Sequence, residues 1–502
     1  MTCCDTGAPL FALGETTAVC PVCLRALPAR LVGEGDRVYL ERTCPDHGSS
    51  RALVWRGPPG YDEWRRAGSG PACSDPAANP DCPTACGLCA SHVRQTCCVL
   101  LEVTARCDLE CPICFASARR RAPADPSIDE IEGWYRRLLE RAPGCNVQLS
   151  GGEPTTRDDL PQVIALGRSL GLPFLQLNTN GLRLAADREY AQMLAAAGLQ
   201  TVFLQFDGVD DAAHLTLRGR PLAALKKRAV EHCAQAGLGV VLVPTVVPGV
   251  NLDQLGAILD FALERLPAVR GIHLQPLALL GRYPDSRATG DDRVTLPDAM
   301  RELAAQSGGR IALDDLTPGD CEHALCSFSR EYLRGADGAL TALRRDERDG
   351  AQGCGCGAPV GPSPAALRPT DKAAHVARRW SAPATSCCDT AEAPVSSCCD
   401  ATAAPVSSCC DGPETPADQW DEILRRVHAN TFSVSAMAFQ DAWTLDLERL
   451  RHCYLHVLAA DGRFVPFCAY NLTGADGRGL GVGRRSRRDG SDDGPESGQS
   501  TR

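Results

Sequence analysis

The sequence predicts an α/β fold in which a parallel sheet is built from six strand–helix units. Between residues 97 and 310, short apolar runs alternate with longer helical patterns, as in parallel α/β domains. Several apolar runs end in polar or glycine residues, which is typical of strand ends that surround a barrel site. The predicted strands are 99–103, 146–149, 174–177, 201–206, 239–247 and 271–276, and the predicted helices are 134–142, 160–170, 190–197, 223–236 and 252–266.

Length, charge and cysteine content limit the classes of protein that this chain can be. With 502 residues, it is expected to hold one main domain with appended modules. A formal net charge of −10 argues against a nucleic-acid partner. No apolar run reaches membrane-spanning length and the first residues lack a signal segment, so we expect a cytoplasmic protein. There, 28 cysteines in tight clusters predict metal ligation rather than disulfides.

Three cysteines directly after the first predicted strand form the centre of the predicted site. Cys107, Cys111 and Cys114 have C-x3-C-x2-C spacing. Three thiolates on one loop can hold three irons of a [4Fe-4S] cube and leave the fourth iron open to a substrate. The spacing alone leaves a zinc knuckle or a set of structural thiols as the alternative.

A second motif, after the second predicted strand, favours the iron–sulfur interpretation. It is the segment Gly151, Gly152, Glu153 and Pro154, here called the GGEP segment. The glycines allow close backbone approach to a ligand, and Glu153 can accept a hydrogen bond from an ammonium group. Together with the cysteine loop, this segment resembles the radical S-adenosylmethionine (SAM) superfamily.

The resemblance implies a partial (β/α)6 radical SAM barrel whose three-cysteine loop holds a SAM-binding [4Fe-4S] cluster. One-electron reduction would cleave SAM to a 5′-deoxyadenosyl radical, so a reducing electron donor such as ferredoxin or flavodoxin is expected. By the same resemblance, the GGEP segment contacts the SAM amino group. Polar side chains at the later strand ends are predicted to line the pocket. They are Asn178 and Asn180, which the resemblance places near the SAM ribose, and Gln205, Asp207 and Gln275.

Two histidines near these strand ends are predicted to have structural roles. His273 is expected to be a hydrogen-bonded strand residue, and His214 a surface or helix-start residue.

Residues 1–65 are predicted to form a zinc-ribbon or rubredoxin-like module. Cys20 and Cys23 form one knuckle, and Cys44 and His47 form a second one after a hairpin. These four residues are the predicted ligands of a mononuclear zinc or iron ion, with Cys3 or Cys4 as alternatives to His47. A fully ligated site of this kind is structural by default.

Residues 66–96 are predicted to hold an auxiliary [4Fe-4S] cluster. Cys82, Cys86 and Cys89 repeat the C-x3-C-x2-C spacing, without a GGEP partner. The predicted fourth ligand is Cys73, Cys97, Cys98 or a C-terminal cysteine. A structural zinc site is the alternative.

A third cluster is predicted from segments that follow the barrel region, 97–310. Cys321 and Cys326 lie in the segment 311–345, and Cys453 and Cys468 lie on a predicted hairpin within 417–473. Buried strand cysteines are the alternative for the last two. Residues 346–416 carry a repeated Ser-Cys-Cys-Asp unit and are predicted to be a flexible linker, and residues 474–502 a disordered tail.

The order of these parts, with the C-terminal block MAFQDAW, resembles the radical SAM subfamily that contains archaeal tetraether lipid synthases, some once described as pterin methyltransferases. The resemblance implies C–C coupling of unactivated lipid alkyl chains. Methyl transfer to a pterin or similar heterocycle is the alternative. A redox or metal-handling protein with a vestigial SAM site is disfavoured, because both core motifs are intact.

The two enzymatic hypotheses predict different substrate sites. Lipid coupling predicts a long apolar tunnel, whereas methyl transfer predicts a polar pocket. A lipid substrate also requires an apolar entrance and possible peripheral membrane contact, for which the apolar segment 277–280 is the candidate.

Overall fold

The computed structural model describes residues 10–68, 82–284, 291–319, 323–343, 379–383 and 419–480. Their strands form two sheets, a four-stranded antiparallel sheet near the N-terminus and a larger mixed sheet. Within this described part of the chain, every helix is too short or too polar to cross a lipid bilayer.

The N-terminal sheet is a meander whose strands follow one another in sequence order. Its predicted central hairpin is present, and each predicted knuckle lies at the turn on either side of that hairpin. Trp55 and Trp64 are buried and pack against each other, in a hydrophobic core that this module shares with the larger sheet. The elements are β1 (Leu10–Val19), β2 (Ala26–Glu34), β3 (Arg37–Cys44), β4 (Gly48–Arg56) and α1 (Tyr61–Ala67).

Six parallel strands form the middle of the larger sheet, which confirms the predicted α/β barrel units. They are β5 (Cys98–Thr104), β6 (Asn146–Gly151), β7 (Leu175–Thr179), β8 (Thr201–Gln205), β9 (Gly239–Val243) and, after the short β10 (Thr245–Val246), β11 (Val269–Pro276).

Helices lie between these strands, and their buried faces pack on the sheet because apolar residues recur at helical spacing. They are α2 (Ile128–Arg141), α3 (Leu160–Ser169), α4 (Leu182–Ala186), α5 (Arg188–Ala196), α6 (Asp211–Arg218), α7 (Ala223–Gln235) and α8 (Leu255–Leu263), followed by α9 (Leu296–Gln306).

C-terminal strands extend the sheet at both edges, which the sequence did not predict. At one edge, β14 (Thr431–Met437) pairs in parallel with β11, and β12 (Ser327–Arg334) pairs with β14 in the antiparallel sense, followed by β13 (Leu340–Ala342). At the other edge, β15 (Leu455–Leu458) pairs in parallel with β5.

The predicted C-terminal hairpin is confirmed, with a shorter second arm than expected. Strand β16 (Phe464–Pro466) pairs with β15, and the chain then turns into the short helix α12 (Phe467–Tyr470). The two other C-terminal helices are α10 (Gln419–Asn430) and α11 (Leu447–Arg451).

Alternate strand residues point into the barrel and determine what the interior contains. Phe203 and Gln205 of β8, Val243 of β9, and His273 and Gln275 of β11 all line one internal cavity. This two-residue period places aromatic, aliphatic and amide groups on the same wall.

Candidate active site and metal centres

The three-cysteine loop follows β5 and is held at both ends by backbone contacts. The amide of Cys107 donates to the carbonyl of Arg119 at 3.0 Å, and that of Cys114 donates to the carbonyl of Arg282 at 2.8 Å. The Arg282 Nε also donates to the Cys111 carbonyl at 2.9 Å. All three cysteines are free thiols on the cavity wall. The loop therefore presents three soft ligands toward an open space.

The GGEP segment packs directly against the chain that leads into the cysteine loop. A Cβ on Gly151 would lie 2.2 Å from the Thr104 carbonyl oxygen, and one on Gly152 would lie 2.0 Å from that of Arg106. The glycines are thus required for approach to protein backbone, and not only for the expected approach to a ligand. Gly151, Gly152 and Glu153 line the cavity, whereas Pro154 does not and instead begins a 3-10 turn.

Glu153 is almost fully buried and organises the segment. Its Oε1 accepts hydrogen bonds from the hydroxyls of Thr155 and Thr179, each at 2.7 Å. Its Oε2 accepts one from the backbone amide of Asn180 at 2.6 Å. Burial raises the pKa of Glu153, although these donors oppose the shift. The carboxylate therefore fixes β6 to the end of β7, and Glu153 lies on the cavity wall.

Asn178 and Asn180 lie on the cavity wall, as the sequence predicted. The side-chain amide of Asn180 donates a hydrogen bond to the Asp108 carboxylate at 2.7 Å, which connects the end of β7 to the cysteine loop. The Asn178 amide group donates to Gln148 Oε1 at 3.0 Å. Two predicted pocket residues are thus already organised by protein contacts.

Asp207 does not line the cavity, so its predicted contact with a cofactor is corrected. It is fully buried and accepts from the Arg218 guanidinium at 2.7 and 2.9 Å and from the Thr245 amide at 3.0 Å. Burial alone would raise the pKa of the carboxyl, but Arg218 outweighs it, so the pKa is lowered. Asp207 therefore positions Arg218, which reaches the cavity wall near Cys111.

Arg218 was missed because it occupies the last turn of α6, where an arginine usually faces solvent. The structure also corrects the prediction for His214. This histidine is fully buried in the same helix, with its Nε2 at 3.0 Å from the Gly208 carbonyl and its Nδ1 at 3.8 Å from Asp207. Burial is the main reason that its pKa is lowered.

Lys226 is a second buried cation that the sequence did not reveal. It lies in α7, is fully buried, and donates to the Asn180 carbonyl and to Gln205 Oε1. Burial lowers its pKa to about 8. A lysine at a helical position is normally assigned to the surface, so only its tertiary contacts identify it as a positioning residue.

His273 agrees with its predicted structural role. Its Nδ1 lies 2.9 Å from the Ser435 hydroxyl, and burial lowers its pKa to about 4, so the imidazole is neutral at pH 7.

A cavity of about 960 Å³ begins at the cysteine loop and continues through the barrel. Its far end reaches Cys97 and Asn146, which lie where β5 and β6 begin, and Trp380. Much of the wall is apolar. The apolar wall includes Leu100, Leu109, Ile113, Phe115, Phe203, Val243, Met437, Phe439 and Phe467.

The segment 277–280 is not the surface entrance that the sequence predicted. Leu279 and Leu280 are buried, while Leu277 and Ala278 are partly buried against the same apolar cluster. Three of the four residues line the cavity wall. The apolar run is explained by interior packing, and it therefore provides no membrane-contact patch.

The four predicted ribbon ligands come together as a compact site. The ligand atoms of Cys20, Cys23, Cys44 and His47 all lie within 4.8 Å of one another. The His47 Nδ1 is 3.6 Å from the Cys20 sulfur and 3.4 Å from the Cys44 sulfur. Three thiols and one imidazole suit a tetrahedral zinc or iron ion. The alternatives Cys3 and Cys4 lie outside the described residues.

The other predicted cluster ligands occupy neighbouring positions beside the barrel. A hydrogen bond with Cys82 is the main reason that the pKa of Cys86 is raised, and Cys89 and Cys453 act in the same direction. Burial raises the pKa of Cys468, and Cys453 and Cys326, which lie nearby, act in the same direction. Cys453 is thus near both predicted groups, and its assignment to either remains a prediction. Cys73 and Cys321 lie outside the described residues.

The fold and site together match the architecture of radical SAM proteins. The donors present fit the implied groups: the three free thiols would hold a [4Fe-4S] cluster, and the GGEP segment with Asn178 and Asn180 would hold SAM. Residues 101–262 match the Radical SAM superfamily, and residues 12–56 match the HMPTM N-terminal zinc ribbon domain.

The relationship extends over nearly the whole chain. The sequence is 31% identical over 481 residues to the 7,8-dihydro-6-hydroxymethylpterin dimethyltransferase of Methanocaldococcus jannaschii, covering 91% of this chain and 93% of that protein. The chain therefore belongs to the radical SAM family that contains this pterin methyltransferase, and it is a radical SAM enzyme.

Other relatives match a smaller part of the chain. The PqqA peptide cyclase of Xanthomonas axonopodis pv. citri is 31% identical over 228 residues, covering 44% of this chain and 59% of that protein. The crystal structure of Streptococcus suis SuiB bound to precursor peptide SuiA aligns with a TM-score of 0.35 and 16% identity, covering 43% of this chain and 46% of SuiB.

Proposed function

We propose that this chain is a radical SAM methyltransferase that acts on a reduced pterin or a similar heterocycle bound in the barrel cavity. The observation that carries this proposal is the 31% identity to the M. jannaschii pterin dimethyltransferase across nearly the full length of both chains. This relationship supports methyl transfer better than lipid coupling, which was the first expectation from the sequence.

The cavity contains amide groups suited to the edge of a heterocycle. Asn178, Gln205 and Gln275 line it, and Gln148 lies beside Asn178. Amides offer paired donors and acceptors, which are the groups that a pterin ring presents at its edges. These side chains would orient the substrate relative to the cysteine loop.

An aromatic wall beside the cysteine loop offers a stacking surface. Phe115 and Phe467 have ring centroids 5.3 Å apart, and Phe467 and Phe439 have centroids 4.5 Å apart. All three rings line the cavity. A planar heterocycle could stack on this surface while the wall excludes water, which protects a radical from side reactions.

The test is an anaerobic reaction of reconstituted enzyme with a strong reductant, SAM and reduced 6-hydroxymethylpterin. SAM carries a ¹³C-labelled methyl group, and mass spectrometry follows 5′-deoxyadenosine and the pterin. We expect both 5′-deoxyadenosine and a methylated pterin, and the label reports whether the methyl group comes from SAM. Formation of 5′-deoxyadenosine with an unchanged pterin would refute the methyltransferase proposal.

Matched cysteine variants control this experiment. Cys111→Ala removes a predicted cluster ligand, so both products should disappear. Cys233→Ala removes a buried thiol on α7 that does not line the cavity, so both products should persist. Loss of activity in both variants would indicate a general folding defect.

Coupling of alkyl chains is a second candidate, favoured by the volume of about 960 Å³ and the apolar lining of the cavity. Each hydrogen abstraction converts one deoxyadenosyl radical to 5′-deoxyadenosine, so joining two methyl ends requires two SAM molecules, two electrons and the loss of two hydrogens. The same assay with a lipid extract would show a joined product and two 5′-deoxyadenosines per new bond. Unchanged lipids during active SAM cleavage would exclude this candidate.

A further inference from the structure

Five residues inside the predicted linker, 379–383, are described and pack into the barrel. We call them the floor segment. They lie where β9 and β14 begin, since their contacts include Gly239 and Ser433. The composition of residues 346–416 predicted a flexible linker, so this packed segment is an exception to that prediction.

Trp380 forms the apolar part of the floor. Its ring centroid lies 4.9 Å from that of Phe203 in an edge-to-face arrangement. Phe203, Val241 and Val243 form a buried cluster against which Trp380 packs. Trp380 also lines the cavity, whose other end is the cysteine loop. The indole is therefore positioned to limit the depth of the cavity along the barrel.

Arg379 anchors the segment through polar contacts. Its Nε donates to the Ser433 hydroxyl at 2.7 Å and pairs with the Glu331 carboxylate at 3.2 Å. The two charged side chains are only 16% and 27% exposed, so this ion pair is shielded more than a surface pair. These contacts fix the backbone from which the Trp380 side chain projects.

Gly239, the first residue of β9, provides the space for the segment. A Cβ at this position would lie 2.0 Å from the Trp380 carbonyl oxygen and 2.8 Å from the Ala382 nitrogen. These contacts are with backbone atoms, so side-chain rotation could not relieve them. A glycine in a strand otherwise weakens the strand, and its presence here is explained by close packing of the floor segment.

We propose that Trp380 closes the substrate cavity and determines the length of the unbranched alkyl group that the enzyme accepts. The inference rests on the second candidate function, alkyl-chain coupling, because that function places an unbranched alkyl group in this cavity. The group that reaches Trp380 is expected to be apolar, because Phe203 and Val243 pack against the indole and also line the cavity. A substrate whose reacting carbon lies at the cysteine loop has the distance from that loop to Trp380 available for its chain.

The test measures binding of straight-chain alcohols of increasing length to the reconstituted holoenzyme, by displacement of a fluorescent fatty-acid probe. Wild-type affinity should rise roughly fourfold for each added methylene, until the chain reaches Trp380 and the rise stops. We call the chain length at which the rise stops the break. In Trp380→Ala, the rise should continue to longer alcohols. Trp380→Phe retains a ring and should keep the break near the wild-type length.

A matched glycine pair tests the segment independently of the indole. Gly239→Ala should displace the floor segment and move the break to longer alcohols, as Trp380→Ala does. Gly133→Ala places its methyl group in open space on α2 and should leave the break unchanged. Thermal unfolding of each variant identifies those that fail to fold.

Two results would overturn the inference. The first is an unchanged break in folded Trp380→Ala and Gly239→Ala. The second is the absence of alcohol binding to wild-type enzyme that still forms 5′-deoxyadenosine. Failure of the methyltransferase proposal is a separate result, because it would appear as an unmethylated pterin while the length dependence of alcohol binding remained intact.

Discussion

The zinc ribbon and the barrel use cysteine ligands in opposite surroundings. In the ribbon, four ligand atoms lie within 4.8 Å of one another, at turns of one small sheet. In the barrel, three free thiols lie on the wall of a cavity of about 960 Å³. A complete ligand set leaves no position for a substrate, whereas an incomplete set beside a cavity does. The number of protein ligands and the access of a substrate to the metal therefore distinguish a structural metal site from a site that can carry out a reaction.

The two sites also differ in what holds their ligands in place. The ribbon ligands depend on turns between adjacent strands, so local structure positions them. The cysteine loop depends on distant groups, including Arg282, Asn180 and the pair of Arg218 with Asp207. Substitutions should therefore affect the two sites separately.

The largest expected effect is loss of SAM cleavage in Cys111→Ala. Two remaining thiols cannot complete the three-iron ligation that leaves one iron open, so 5′-deoxyadenosine should fall to background. Iron and zinc analysis should show loss of cluster iron with the ribbon ion retained. Retention of SAM cleavage by this variant would contradict the assignment of the open site.

The next largest effect is expected from Cys44→Ser in the ribbon. Structural metal binding contributes directly to folding, so the variant should lose the ribbon ion and unfold at a lower temperature. Hydrogen exchange should show the greatest loss of protection in β1 to β4. Because Cys44 does not line the cavity, 5′-deoxyadenosine should still form. Its complete loss in a folded variant would show that the two sites are coupled.

Arg218→Met should destabilise the barrel by about 3–5 kcal/mol, because it leaves the buried Asp207 carboxylate without its cation. Denaturant unfolding measures this change. Adding Asp207→Asn should recover part of the loss, since the uncompensated charge is then absent. Equal stability of the single and double variants would argue against a charge-based role for the pair.

The smallest effect concerns the contact that joins the ribbon to the barrel. Arg56 on β4 donates to Asp298 on α9 at 3.0 and 2.8 Å. Burial opposes ionisation of Asp298, but hydrogen bonds from Arg56 and Thr295 outweigh it and lower its pKa. Asp298→Asn should therefore cost about 2 kcal/mol at pH 7.

The pH dependence follows from the sign of this shift. Because the native pKa of Asp298 is below its unfolded value, the contact stabilises the protein fully above about pH 4. That stabilisation is lost as the pH falls through the lowered native pKa. The stability difference between wild type and Asp298→Asn should shrink over this acidic range in denaturant titrations. A difference that is independent of pH would contradict the ionic contribution.

Parts of the fold and site that depend on neighbouring residues could be predicted from the sequence. The six parallel strands follow from alternation of apolar runs and helical patterns, and the ribbon site from the spacing of Cys20, Cys23, Cys44 and His47. Parallel addition of β14 and β15 could not be predicted in this way. Those strands lie far along the chain from the strands with which they pair, and nothing in a strand's own pattern identifies its partner.

The sequence by itself determined the class of enzyme, because the cysteine loop and the GGEP segment each carry their ligands within a few consecutive residues. The tertiary structure alone decided which distant groups support that site. Arg218 and Lys226 carried no signal in the sequence, His214 was expected to be a surface or helix-start residue, and Trp380 lay in a predicted linker, yet each packs against the barrel. Burial and long-range pairing set these positions, and both depend on contacts that form only when the chain folds.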